Sequence, residues 1–134
     1  EQYSMIKLAI GGTGIFITIL SLVVGGIGIA NIMFVSVKER TKEIGIRKAL
    51  GATPRMILGQ FLMESMTICL FGGLVGMSLA YGGSRIINSF FPSEMPIGLA
   101  MSALGLSMLV GIISGLAPSY KAANLDPIDA LRYE

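Results

Sequence analysis

The sequence predicts an all-α membrane protein: three transmembrane helices, with a short cytoplasmic helix between the first and the second. Three observations carry this reading. The chain is 53% hydrophobic and 13% charged, against roughly 25% charged in soluble domains. The charges are absent from three long stretches, each of a length that crosses a bilayer. Lys38, Arg40, Lys42, Arg47, Lys48 and Arg55 gather six of the ten basic residues into one island between apolar runs, the pattern of a cytoplasmic loop.

The first span is read from Leu8 to Val37, a run without charge that gives roughly 45 Å of helix at ~1.5 Å per residue, against a hydrocarbon core of ~30 Å. The surplus projects outside as a stem or is taken up by tilt. Its glycines (Gly11, Gly12, Gly14, Gly25, Gly26, Gly28) would weaken a helix in water but permit close helix contact in lipid. Gly12-Thr13-Gly14 and Gly26-Ile27-Gly28 resemble the start of a nucleotide-binding loop. Both lack the third glycine and any preceding strand, so packing is the reading taken.

The island, 38–55, reads KERTKEIGIRKALGATPR. Glu39 with Lys42 and Glu43 with Arg47 stand at helical spacing with the acid on the N-terminal side, the favoured order. Ile46 and Leu50 make a small apolar edge. Gly51 suits a helix C′ position, and Thr53-Pro54 supplies an N-cap followed by proline at N1. Two helices meeting there form an elbow at the membrane surface.

The second span covers 61–87, uncharged from Ser65 to Ser84, with Glu64 at its cytoplasmic end. That acid reaches the interface or pairs with Arg55 or a nearby loop cation, a reading preferred to a proton or substrate relay. A turn, NSFFPSEMP, leads to a third span over 95–120, where Pro118 marks a kink or an exit bend. Gly72-x-x-x-Gly76 and Gly111-x-x-x-Gly115 have the spacing of close contacts between these two spans. In the tail, 121–134, Asp126-Pro127 is another cap pair and predicts a short terminal helix on the membrane surface.

Lys121 and Arg132 lie on the island's side, Lys7 and Arg85 on the other, which places the island and the C-terminus inside and the N-terminus outside. With no signal peptide at its start, the chain is then expected to be the C-terminal part of a longer polypeptide. There is no histidine, and the one cysteine, Cys69, lies within a span as a small apolar filler. No catalytic, cofactor-binding or metal-binding residue is assigned, no activated nucleophile pair is visible, and nothing points to nucleic acid. The island could set topology or hold anionic lipid. Its mixture of acids and bases around Ile-Gly-Ile-Arg-Lys-Ala-Leu-Gly instead favours a protein-docking surface.

KERTKEIGIRKALGATPRMILGQFLMES resembles the signature of the permeases of the macrolide-exporter (MacB) and lipoprotein-release type of ABC transporter, the group that includes the cell-division permease FtsX. The tail APSYKAANLDPIDALRYE is similar to the end of the macrolide-exporter branch. The resemblance covers essentially the whole chain and implies a permease whose first span and extracytoplasmic domain precede these three spans. It makes the island the coupling helix that sits against the ATPase. Matched to the motif, Glu39, Arg40, Lys42, Glu43, Ile44, Gly45, Arg47, Lys48, Ala49 and Gly51 are the docking residues. It further implies ATP and magnesium held by a partner subunit or fused domain rather than by this chain, a second permease chain, identical or different, and the bacterial cytoplasmic membrane. An extracytoplasmic adaptor protein stays open as a further partner. Mechanical export of a drug, peptide or lipoprotein is the expected function. A regulatory permease that signals to an external cell-wall hydrolase or sensor is the alternative.

Overall fold

A computed structural model describes residues 2–90, 92 and 96–132. The expected start of the third span at Met95, the turn residues Phe91, Ser93 and Glu94, and the tail's Tyr133 and Glu134 lie outside the described residues, as does Glu1. Five helices follow in order: α1 (Gln2–Glu39), α2 (Thr41–Ala49), α3 (Pro54–Asn88), α4 (Ile97–Ala123) and α5 (Pro127–Arg132). The described residues contain no strand, and α1, α3 and α4 are each long and apolar enough to cross a membrane.

Hydrocarbon offers no hydrogen bonds, so the backbone of a span is satisfied within its own helix, and side-chain hydroxyls commonly turn back to a carbonyl one turn earlier. The threonines of α1 follow this rule: the Thr13 hydroxyl donates to the Ala9 carbonyl at 2.5 Å and Thr18 to Gly14 at 2.8 Å. In α3, Thr67 donates to Met63 at 2.7 Å and Ser78 to Leu74 at 2.8 Å. α1 has 38 residues, about 57 Å at ~1.5 Å per residue, and residues 2–21 are exposed throughout.

The α2–α3 junction is set by local chemistry. Gly51, at φ 102°, is the one positive-φ residue among those described. The Ala52 N–H bonds the Arg47 carbonyl and the Gly51 N–H bonds Lys48, both at 3.0 Å, which is the Schellman pattern that closes a helix on a left-handed glycine. Thr53 then caps α3, its hydroxyl accepting from the Met56 N–H at 3.4 Å, with Pro54 at the first helical position. Between α1 and α2 only Arg40 intervenes, and α2 has no side-chain N-cap. α4 runs through the buried Pro118 to Ala123. A span tolerates that proline because neighbouring groups can take up the freed backbone bond.

α3 and α4 pair closely. α3 buries Ile57, Phe61, Ser65 and Cys69 at every fourth residue, and α4 answers with Gly111, Gly115, Ser119 and Ala123. A Cβ on Gly115 would stand 2.7 Å from the Ser65 Cβ, and one on Gly111 2.9 Å from the Cys69 Cβ. Ser107 donates across the pair to the Cys69 carbonyl at 2.8 Å. On α3 the glycine at close approach is Gly73, whose added Cβ would lie 2.9 Å from Ser107 Oγ. At Gly72 and Gly76 it would meet nothing within 4 Å. α1 leans on α4 at Gly26, where a Cβ would come within 2.7 Å of Ser114 Oγ. Beside that contact an apolar groove of about 420 Å³ opens between Leu22, Ile27, Val110 and Ile113.

The buried core lies at one end, where α1, α2, α3 and α4 meet. Met33 and Val37 of α1, Ile44 of α2, Ile57 and Phe61 of α3 and Ala122 of α4 close it, with Ile29, Ala52 and Leu125 packed at its edge.

Two consequences can be measured by thermal melting of the detergent-solubilised protein. Gly115→Val is expected to destabilise by about 2 kcal/mol or more through overpacking against Ser65, whereas Gly76→Val stays near wild type. Gly51→Ala is expected to cost about 1–2 kcal/mol, the penalty for a side chain in a left-handed conformation.

Candidate functional site

The polar end of the molecule is built around α2, nine residues long. A helix of that length does not hold itself in water, so its position is set by what flanks it. Its inward face is Thr41, Ile44 and Gly45, all buried. The Thr41 hydroxyl turns back to the Val37 and Lys38 carbonyls, both at 2.9 Å, tying the start of α2 to the end of α1. The outward face carries Lys42, Glu43, Ile46, Arg47, Ala49 and Leu50, all exposed, with Leu50 at 84%. Apolar Ile46 and Leu50 thus stand at i,i+4 between charged neighbours, in water.

Two arginines staple this unit to α3. Arg47 donates to the Gln60 side-chain carbonyl at 2.6 Å and pairs with Glu43 at 2.5 Å. Arg40, at the α1–α2 junction, pairs with Glu64 at 3.4 Å. Gln60 and Glu64 are one turn apart on α3, so a single helix face receives both guanidinium groups. Each staple is largely exposed, the Arg40 and Glu64 side chains at 47% and 32%, and such pairs contribute about 0–1 kcal/mol. They orient more than they stabilise.

α5 lies along the other flank. A Cβ on Gly45 would stand 2.7 Å from the Ala130 Cβ, so the two helices touch where both side chains are smallest. Lys48 donates its ammonium to the Leu125 carbonyl at 2.6 Å, fastening the α4–α5 link. α5 begins as Asp126-Pro127 dictates, the Asp126 carboxylate accepting the Ile128 N–H at 2.9 Å. At the rim, the Lys121 ammonium sits 5.7 Å from the centre of the Phe34 ring, linking α4 to α1.

The docking residues proposed from sequence therefore divide. Glu39, Arg40, Lys42, Glu43, Arg47, Ala49 and Gly51 are exposed, Lys48 is half-buried, and Ile44 and Gly45 are buried against other helices. Glu64 meets Arg40 rather than Arg55. Pattern reading missed Gln60 as a partner and missed the α2–α5 contact altogether. The available signal was a glycine in mid-helix, Gly45, with a tail rich in alanine. Among the described residues no group of three or more His, Cys, Asp or Glu could hold a metal ion.

The family model described as FtsX-like permease C-terminal matches residues 15–127. The chain belongs to that family. Among its relatives, the ABC transporter permease YknZ of Bacillus subtilis (strain 168) is 54% identical over 117 residues, which are 86% of this chain and 30% of YknZ. The macrolide export ATP-binding/permease protein MacB of Syntrophobacter fumaroxidans is 48% identical over 120 residues, 88% of this chain and 17% of that protein. MacB of Neisseria gonorrhoeae is 52% identical over 118 residues, covering 86% and 18%. The chain thus spans less than a third of the length of these relatives. An FtsX-like permease domain with three spans is a multi-pass membrane component, and relatives of the MacB type carry an ATP-binding part in the same protein.

Glu64→Gln in the FtsX-like domain keeps an acceptor for Arg40 and removes the charge. Its melting temperature is expected to correspond to a loss of less than about 1 kcal/mol. A loss several times larger would give Glu64 a role beyond a surface pair.

Proposed function

We propose that this chain is the transmembrane part of an ABC transporter permease, and that it passes the motion of a cytoplasmic ATPase through α2 to the spans and outward along α1. The supporting observation is the outward face of α2: two bare aliphatic side chains and a mixed ring of charge, on a short helix whose opposite face is locked into the core. Apolar side chains centred among charges suit a protein partner. A lipid-binding patch needs only the basic residues.

In this reading α2 is the coupling helix, with Lys42, Glu43, Ile46, Arg47, Ala49 and Leu50 toward the ATPase and Glu39, Arg40 and Gly51 at its edges. The lysines and arginines of the island orient it into the cytoplasm, with the start of α1 outside the bacterial cytoplasmic membrane. Closure of two ATPase subunits or domains on ATP and magnesium moves two such permease chains, and α1, long and exposed over residues 2–21, carries the displacement outward. The grooves between the helices are lined by apolar and small residues, which agrees with a substrate handled outside the membrane. Export of a drug, peptide or lipoprotein follows from the likeness to MacB-type exporters.

The test is a charge reversal within one pair, Glu43→Lys with Arg47→Glu, in the complete permease. Loop charge is unchanged, so insertion and orientation persist. Retention of the cognate ABC ATPase on co-purification, or its stimulation, is expected to fall on the order of tenfold, equivalent to about 1.4 kcal/mol. Unchanged association and stimulation would make the island an orientation device.

A further inference from the structure

We infer that α5 is a brace for α2: the Gly45–Ala130 contact and the Lys48 bond to the Leu125 carbonyl fix the angle at which α2 meets the ATPase and pass its displacement into α4. This rests on the reading of α2 as the docking helix. It adds that a segment with no place in that face, the short helix α5, decides whether docking is productive.

The contacts that flank α2 differ in stiffness. Toward α3, α2 seats Ile44 in the core beside Ile57 and Phe61, and outside that core it is held only by long arginine side chains in water, at 42% exposure for Arg47. These can swing without breaking anything buried. Toward α1 it is joined through Arg40, with no side-chain cap on its own first N–H groups, and the Thr41 hydroxyl ties it back to the Val37 and Lys38 carbonyls. Toward α5 the contact is between backbone and the smallest side chains: Gly45 and Ala130 are both buried, with the Pro127 carbonyl 3.5 Å from where a Gly45 Cβ would lie. A contact of this kind has no rotamer through which to relax, and packed interiors transmit strain. α5 cannot drift either, because Lys48 grips the carbonyl of Leu125 at 2.6 Å, just before α5, and Leu125 packs on the core shared by Ile44 and Ala122. α2 and the end of α4 are therefore one solid piece, with α5 as its keystone.

The steric nature of the contact gives a test by exchange. In the complete permease with its cognate ATPase in nanodiscs, stimulation of MgATP hydrolysis and ATPase retention are read for Gly45→Ala, for the exchange Gly45→Ala with Ala130→Gly, and for Leu50→Arg on the outward face. The added Cβ of Gly45→Ala collides with Ala130, and stimulation is expected to fall roughly tenfold, within the range by which single changes modulate coupling. The exchange removes the colliding atom, leaves only contacts at 3.5 Å, and is expected to restore at least half of the lost stimulation. A Gly45→Ala defect that the exchange fails to rescue, or no defect at all while Leu50→Arg abolishes retention, overturns the brace and leaves docking through α2 intact. If Leu50→Arg and Gly45→Ala both leave retention and stimulation at wild-type level, the docking reading fails and the brace falls with it.

Discussion

In a bilayer, burying a leucine gains nothing, because the lipid it leaves is as apolar as the helix it meets. Spans must therefore be joined by close backbone approach and by the few hydrogen bonds that cross between them. The α3–α4 pair depends on this constraint throughout. Its seam is Ser65 on Gly115, Cys69 on Gly111 and Gly73 on Ser107, with one hydroxyl bridging to the Cys69 carbonyl. Large side chains such as Phe71, Leu79 and Ile113 are exposed outside the seam, where a bilayer would solvate them. The abundance of glycine in the chain, a liability in water, is what lets the spans touch.

At the polar end the balance reverses. Water is the competing solvent there, so apolar burial contributes in the ordinary way, about 25 cal/mol per Å². The aliphatic and aromatic core of Met33, Val37, Ile44, Ile57 and Phe61 accordingly gathers at that end alone. A consequence is a gradient of rigidity along the molecule. Four helices share a core at one end with α5 beside it, two or three touch through small residues in the middle, and residues 2–21 of α1 are exposed throughout. Local opening is least costly where buried contacts are few, so the exposed part of α1 can respond to movements that the core end makes as a unit.

The elements were legible because their signals are local. Absence of charge marks the spans, Gly51 closes α2 by a left-handed turn, and Thr53-Pro54 and Asp126-Pro127 open α3 and α5 by capping. What the pattern could not supply was pairing across sequence distance. Gly72 and Gly76 have the spacing of a packing motif, yet Gly73 sits at the seam, because which face of α3 meets α4 is decided by the rotation of both helices rather than by spacing. Glu64 was expected to find a cation, and the choice of Arg40 over Arg55 depends on how α2 folds back. The contact of Gly45 with Ala130 joins residues 85 apart in number through two helix ends and a turn, and no periodicity announces it.

The arrangement bears on how force would travel. A helix of nine residues pushed by a partner could simply tilt in its socket, and the push would be lost in side-chain motion. Three boundaries decide whether it does. The arginine staples to Gln60 and Glu64 are compliant, and the Arg40 junction is a single residue. The α5 flank and the Ile44 face are buried and closely packed, so the socket is stiff on those sides and soft where the arginines reach out to α3. On the proposed coupling, displacement of α2 would turn the joined α4–α5 end, and α1, which leans on α4 at Gly26 and Ser114, would receive the motion from two places: through its own chain at Arg40 and sideways from α4. Two points of drive separated along a long helix produce a change of tilt rather than a slide. Tilt is the movement that a long projecting stem magnifies most at its far end.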